Sequence, residues 1–328
     1  LRSVPNHPAD LQSLPVRSTE VLVEVSHVSR AYGDIQAVKD LSFSIYKGEV
    51  LGFLGPNGAG KTTTMQIISG NLAPDKGTVS IDGHDLLLDP RAAKSALGYL
   101  PEQPPLYREL TVDEYLDYCA ALNRIERKRR RAAREQAKER CGLRDVGQRL
   151  IGNLSKGFQQ RVGLAQAVIH LPPVIILDEP TIGLDPIQIR EIRKLIRELG
   201  ENHGVILSTH ILPEVQASCD HVQIISNGSL VLSDSIEGLA QHMKSASLSL
   251  AFRRPPSPSA LEQVAGVTLV QFNDPYRVQI FHRPDHDPTE EIVRLAAEHN
   301  WGIYEIRPLG GSLEELFVEL TTEGVGSE

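Results

Sequence analysis

Cysteine is scarce in this chain, with Cys119, Cys141 and Cys219 the only three among 328 residues. They form no C-x-x-C pair and no His/Cys cluster with zinc spacing. That excludes a disulfide scaffold and a zinc ribbon, and it points to a reducing cytosol with each thiol acting as a small buried hydrophobe. Long apolar runs are missing as well, and none approaches the length of a transmembrane helix. The segment from Leu1 to Glu20 carries prolines and polar residues but lacks the apolar core of a signal peptide. Residues 1–19 are read as a mobile tail. An excess of positive charge is also absent. The formal net charge of −8 argues against a general nucleic-acid binder, whose affinity comes from neutralising phosphates. What remains, 41% hydrophobic and 23% charged residues, is ordinary for a soluble globular protein, and 328 residues suffice for about two domains.

The most specific stretch is Gly55-Pro56-Asn57-Gly58-Ala59-Gly60-Lys61-Thr62, followed by Thr63. It fits G-x-x-x-x-G-K-[ST], a loop whose backbone N–H groups turn inward around nucleotide phosphates. Its glycines leave out the Cβ atoms that would obstruct that turn. Lys61 is placed to reach the β- and γ-phosphates, and the Thr62 hydroxyl to ligate Mg²⁺. Val50 to Leu54 reads as a buried strand entering the loop and Thr62 to Ser69 as a helix leaving it, so the phosphates would sit at a helix N-terminus. A second apolar strand, Val174 to Leu177, ends in Asp178-Glu179-Pro180. Parallel sheets present ligand groups at the C-termini of their strands. There Asp178 would hold Mg²⁺, directly or through water, and Glu179 would polarise an attacking water. Lys61 and Glu179 are expected at the ends of adjacent strands.

Around these motifs the chain alternates α and β. Strand-like alternation at Glu20 to Val25 and Leu41 to Ile45 flanks a turn at Tyr32-Gly33-Asp34. Thr78 to Gly83 reads as a strand and turn, Arg91 to Ala96 as a helix, and Leu97 to Leu100 as a strand stopped by Pro101. From Thr111 to about Arg140 the character is helical and opens with a Thr111-x-x-Glu114 capping box. The run Arg127-Lys128-Arg129-Arg130-Arg131 inside it reads as a solvated face, or as attraction to anionic lipid headgroups. Gln159 to His170 reads as a helix, Pro186 to Leu199 as an amphipathic helix and Val205 to Leu207 as a buried strand. Past about Gln241 the pattern changes. Residues 245–322 read as a small α+β domain of ferredoxin-like type, with Ser257-Pro258 opening one helix and Ser312-x-x-Glu315 capping a last one that carries Leu313, Leu316, Phe317 and Leu320.

The motifs taken together resemble those of the nucleotide-binding subunit of an ABC transporter, over roughly residues 20–241. The resemblance implies an α/β P-loop NTPase core with a helical subdomain at about 104–170, followed by the small C-terminal domain as a regulatory or dimerising element. It also implies roles for further residues. Tyr32 matches the aromatic that stacks on adenine. Gln103 matches the Q-loop that senses Mg²⁺ and nucleotide. Leu154-Ser155-Lys156-Gly157-Phe158-Gln159-Gln160-Arg161 matches the signature segment, with Ser155 and Gly157 contacting γ-phosphate. Asp185 in Gly183-Leu184-Asp185 matches the D-loop, and His210 the switch histidine that steadies γ-phosphate. Lys156 and Phe158 depart from the usual Leu-Ser-Gly-Gly-Gln signature. The segment Ser312 to Thr321 resembles the C-terminal extension of ABC-2-type exporter ATPases, and the signature resembles their gliding-motility and multidrug-like branch. The resemblance implies ATP and Mg²⁺ as cofactors, an ABC-2-type permease and a second copy of the chain as partners, and a peripheral place on the cytoplasmic side of the cell membrane. The competing reading, a soluble ABC ATPase acting on a ribosome or DNA, is disfavoured by the single P-loop, the lack of sustained heptads and the acidic balance. A P-loop GTPase is disfavoured by the lack of an Asn-Lys-x-Asp guanine reader.

Overall fold

The computed structural model describes residues 19–242, 247–272, 274–283, 286–308 and 317; the tail expected at 1–19 therefore lies almost wholly outside them. Contacts divide the chain between Ser233 and Asp234 into two units.

In the first unit, β1 (Val21–Tyr32) and β2 (Ile35–Tyr46) pair antiparallel around Gly33. The fully buried β3 (Val50–Leu54) runs into the glycine-rich loop, which α1 (Lys61–Ile68) leaves. β4 (Lys76–Ile81) and β5 (His84–Asp85) complete an antiparallel sheet of order β2-β1-β4-β5. α2 (Pro90–Ser95) is capped by Asp89, with a proline in its first turn, and leads to β6 (Leu97–Leu100).

The helical block follows. The Thr111 capping box forms, with Glu114 N donating to Thr111 Oγ1 at 3.2 Å and Thr111 N donating to Glu114 Oε2 at 2.8 Å. The helical stretch expected from Thr111 to Arg140 is two helices, α3 (Val112–Leu122) and α4 (Arg127–Arg140). Asn123 caps the first, and Arg124 breaks the run with a left-handed φ of +57°. α5 (Lys156–Val168) begins earlier than its apolar pattern suggests because Ser155 caps it. In the basic run, Arg127, Lys128, Arg129 and Arg131 are exposed.

β7 (Val174–Asp178), α6 (Pro186–Gly200), β8 (Gly204–Thr209), α7 (Leu212–Ser218), β9 (His221–Ser226) and β10 (Ser229–Ser235) complete a six-stranded sheet of order β10-β9-β3-β8-β7-β6. β9, β3, β8, β7 and β6 run parallel. β7 and β8 are buried throughout, as strands covered on both faces must be. One expectation is corrected here. β3 lies between β8 and β9, so Lys61 and Glu179 do not follow adjacent strands. The chain crosses from β3 to the far edge at β6 and returns through β7, and β8 slots in beside β3. The ends of β3, β8 and β7 therefore stand in a row, with His210 just past β8 between the other two.

The second unit holds α8 (Ile236–His242), β11 (Ser247–Phe252), α9 (Pro258–Glu262), β12 (Val267–Phe272), β13 (Arg277–His282), α10 (Thr289–Glu298) and β14 (Ile303–Pro308). From β11 onward this is a β-α-β-β-α-β succession with all pairs antiparallel and sheet order β12-β13-β11-β14, the ferredoxin-like arrangement. Its core gathers Leu248, Leu250, Phe252, Val278, Ile280 and Ile292. The last helix expected after Ser312 lies outside the described residues, apart from position 317. Among the described residues no helix is long and apolar enough to cross a membrane.

α3 and α4 are held together by a buried ion pair. Lys138 donates to Asp113 Oδ1 at 2.6 Å, and Gln148 donates to the other carboxylate oxygen at 2.8 Å. Lys138 is only 4% exposed. Removing either partner leaves the other charge buried, but each keeps a second contact: Lys138 lies 3.1 Å from Glu135, and Asp113 keeps Gln148 and the Arg134 guanidinium at 3.8 Å. Asp113→Ala and Lys138→Met are therefore each expected to cost about 3 kcal/mol, the lower end for a broken buried pair, in urea unfolding followed by far-UV circular dichroism.

Candidate nucleotide site

The row of strand ends opens on a cavity of about 500 Å³, lined by Ala37, Asn57, Gly58, Gly60, Lys61, Thr62, Thr63, Glu102, Glu179, Ile182 and His210. Its floor is the glycine-rich loop. Gly60 sits at φ +106°, and a Cβ there would lie 2.3 Å from the Ala37 carbonyl oxygen of β2. The loop is propped from below by Asn227-Gly228, which joins β9 to β10 with φ +49° and +80°, the signature of a type I′ hairpin. Gly228 N donates to Ala59 O at 3.0 Å, and Lys39 N donates to Gly228 O at 2.7 Å. The first sheet and this hairpin thus fix the loop between them.

Lys61 is buried, and its ammonium donates to the Gly55 and Pro56 carbonyls at 2.8 and 3.2 Å. Glu179 Oε1 lies 3.8 Å from it. Burial pushes the Lys61 pKa down, and the charges of Glu179, Asp178 and Glu102 oppose that shift. Glu179 is itself buried, and His210 Nδ1 lies 2.9 Å from its Oε1. Glu179 adopts a left-handed φ of +49°, which turns the chain sharply where β7 ends. For a residue with a side chain such backbone costs about 1–3 kcal/mol and must be held by its surroundings. Asp178 is fully buried, and neither carboxylate oxygen has a hydrogen-bond partner. Burial drives its pKa up, while the nearby Ser208 and Thr62 hydroxyls temper the shift without closing to hydrogen bonds.

The cavity brings together Asn57, Gly58, Gly60, Lys61, Thr62, Thr63, Glu179 and His210 from the residues singled out in the sequence. Other such residues do not line it. Gly55 and Pro56 contribute the carbonyls that hold Lys61. Tyr32 is half exposed, with the Arg30 guanidinium 5.3 Å from its ring centre. Gln103 is exposed, and its neighbour Glu102 faces the cavity instead. Ser155 caps α5, with Phe158 N 3.4 Å from its hydroxyl. Gly157 is packed so closely that a Cβ would meet Gln188 Oε1 at 2.2 Å. Asp185 caps α6, its Oδ1 accepting from Ile187 N and Gln188 N at 2.9 Å each. Sequence reasoning missed Glu102, Ala37, Ile182 and the Asn227-Gly228 turn. Only the last carried a signal, an Asn-Gly pair between two apolar runs.

The sequence profile of the ABC transporter family matches residues 38–182. Over 237 residues the chain is 37% identical to the ABC transporter ATP-binding protein NatA of Bacillus subtilis (strain 168), covering 70% of this chain and 96% of NatA. Over 212 residues it is 37% identical to the bacitracin transport ATP-binding protein BcrA of Bacillus licheniformis, covering 64% and 68% of the two chains. Among solved structures, the dimeric structure of MJ0796, a bacterial ABC transporter cassette, matches with a TM-score of 0.61 and 25% identity, over 66% of this chain and 99% of that one. The chain therefore belongs to the ABC transporter ATP-binding proteins. It is the ATP-binding subunit of an ABC transporter and hydrolyses ATP for transport, with an additional C-terminal β-rich unit beyond the cassette.

The unpartnered Asp178 carboxylate has a cost that can be measured. Its folded-state pKa lies above the unfolded value, so the protein is penalised when Asp178 is ionised. That penalty fades as pH falls through the folded pKa towards the unfolded value of 3.8. Asp178→Asn is expected to raise the thermal midpoint of the nucleotide-free protein at pH 7, and the gain should shrink steadily on acidification below the raised pKa. Differential scanning fluorimetry across pH checks it, and an unchanged or lowered midpoint at pH 7 contradicts it.

Proposed function

We propose that this subunit powers a separate ABC-2-type membrane permease from the cytoplasmic face of the cell membrane, through an ATP-driven, head-to-tail pairing of two copies. The observation that carries the chemistry is the row formed by Lys61, His210 and Glu179 at the ends of β3, β8 and β7, with the orphaned Asp178 carboxylate beside it. The glycine-rich loop cradles the phosphates. Lys61, already desolvated, exchanges its carbonyl partners for phosphate oxygens. Glu179 orients and deprotonates the attacking water, while His210 fixes the Glu179 carboxylate and reaches toward γ-phosphate. Asp178 and Thr62 fit a divalent cation, since a buried carboxylate with two free oxygens and a threonine hydroxyl on the cavity wall form a hard oxygen donor set. Bound there, Mg²⁺ would neutralise charge on the β- and γ-phosphates. Gln103 and Tyr32 would join as the Q-loop contact and the adenine platform.

The pairing of two copies is supported by the placement of Ser155. It is exposed at the start of α5 and lines no part of its own chain's cavity. The MJ0796 cassette is described as dimeric. Ser155 and Gly157 would contact the γ-phosphate held by the other copy, and Asp185 would lie near the same junction. An export class for the partner rests on the Ser312 to Thr321 segment and on the likeness to BcrA, by name a bacitracin transport protein. Nucleic acid has no part in this reading.

Glu179→Gln should bind ATP yet hydrolyse it at least ~100-fold more slowly, the scale of a lost general base, whereas Lys61→Ala should fail mainly at binding. Purified Glu179→Gln with near-normal turnover would overturn the assignment. In sedimentation velocity, Glu179→Gln with ATP should run as a dimer, and adding Ser155→Arg should return it to monomer. A double variant that dimerises equally well rules out the trans contact.

A further inference from the structure

Two loops of the site are joined beneath it by one buried side chain that plays no part in the chemistry described above. Glu214, on α7, is 1% exposed. Its two carboxylate oxygens serve different segments. Oε1 accepts a hydrogen bond from the Thr181 hydroxyl, two residues past Glu179. Oε2 accepts from the Thr209 hydroxyl at 2.9 Å, one residue before His210. Thr181 and Thr209 are themselves buried. Thr209 Oγ1 is fixed further by Ile211 N, which donates to it at 3.1 Å.

These bonds close a ring. From Glu179 the chain runs through Pro180 to Thr181, across Glu214 to Thr209, on to His210, and back to Glu179 Oε1 through the 2.9 Å contact with His210 Nδ1. Inside the ring Glu179 N donates to Ser208 O at 2.9 Å, and Ile182 N donates to Glu179 O at 3.2 Å. Glu179 is the left-handed residue within the ring, so its backbone needs restraint on both sides. The Ser208 bond restrains the N-terminal side, and the Thr181–Glu214 bond the C-terminal side.

We propose that Glu214 is a positioning residue for ATP hydrolysis. It is not among the residues that line the cavity, and it sets the distance between the Glu179 carboxylate and the His210 ring by clamping the two hydroxyls that flank them. This inference rests on the roles given above to Glu179 and His210. A carboxylate suits the task because both threonine hydroxyls donate to it, and its two oxygens accept one bond each from the two segments. Burial also keeps water from competing for those hydroxyls.

A clamp of this kind acts on the rate of the chemical step and leaves nucleotide binding unchanged. Displacement of a catalytic group by about 1 Å can cost ~100-fold in rate. The test uses the full chain and steady-state ATP hydrolysis, with affinity for a non-hydrolysable ATP analogue measured by calorimetry. Glu214→Ala should lower kcat by roughly 10- to 100-fold, with KM and analogue affinity within about threefold of the parent, a pattern marking an interaction used in the transition state. The pair Thr181→Val with Thr209→Val removes the two hydroxyls, leaves the Glu214 carboxylate buried without them, and should reproduce that loss. Adding Glu214→Ala to the pair should lower kcat no further, because the carboxylate acts through those bonds alone.

Should Glu214→Ala or the hydroxyl pair not fold, the triple variant, which leaves no buried carboxylate without its donors, carries the test by itself, and full kcat there overturns the proposal. Full kcat in the hydroxyl pair, a loss confined to KM, or an additive loss in the triple variant overturns the proposal. Glu179→Gln, run alongside, separates the two levels. Normal turnover there overturns the reading of the site and this inference with it. Slow turnover there, with full turnover in the hydroxyl pair, overturns this inference alone.

Discussion

An ionisable carboxylate without a partner, at the end of a strand of four buried aliphatic residues, is the constraint on which the first unit depends. Val174 to Leu177 lie at 0% exposure, and Asp178 continues the strand at the same depth. Apolar burial on both faces of the sheet supplies the favourable free energy, and the end of β7 holds a group that burial alone would reject. Nearby positive potential eases that cost. Lys61 stands beside Glu179 at the start of α1, whose N-terminal end adds the partial positive charge of the helix dipole. The site is thus assembled from charges that are uncomfortable separately. Lys61 is desolvated enough to lose basicity, and Asp178 desolvated enough to gain it. An anion and a cation entering together relieve both.

Holding such groups apart at fixed spacing requires backbone that does not yield. The glycine-rich loop is gripped between the Ala37 carbonyl and the Asn227-Gly228 turn. Glu179 is itself the left-handed residue at the strand end, its own amide is tied to β8, and Thr181 beyond it is tied to α7. In both places the support comes from segments distant in sequence. The site therefore forms only when the antiparallel sheet, the β9–β10 hairpin and α7 have docked on the parallel core.

The sequence was legible where chemistry is local and opaque where it is not. The loop from Gly55 to Thr62, the Asp178-Glu179 pair and the Thr111 capping box each act through a few successive residues, and the order of strand, loop and helix around them follows from hydrophobic pattern. Strand order is different. That β8 lies between β3 and β7 depends on which crossovers pack, and each strand alone is an undifferentiated apolar run. Glu214 was invisible for a similar reason, since one acid in a short helix looks like any solvated acid until the two threonines are seen beneath it. Gln103 and Glu102 show a finer limit. A motif locates the loop, but which of two neighbouring side chains faces the cavity is set by backbone torsion.

The departures at Lys156 and Phe158 can be weighed by counting hydrogen-bonding capacity. Asp185 commits one oxygen to two backbone amides of α6, a full capping arrangement. Ser155 makes a single long contact of 3.4 Å with Phe158 N, so its hydroxyl retains a donor and most of its acceptor capacity. Lys156 beside it is exposed, and Phe158 packs against the Arg161 guanidinium at 5.9 Å. The aromatic therefore changes packing on the flank of the helix and leaves the Ser155 end open, while the lysine adds positive charge next to it. Arg161 also pairs with Glu191 of α6, and Gly157 abuts Gln188 of the same helix. The signature segment and the Asp185 cap are thereby fastened to each other within one chain. A ligand engaging the start of α5 would be felt at the start of α6 through contacts that leave no room for a Cβ.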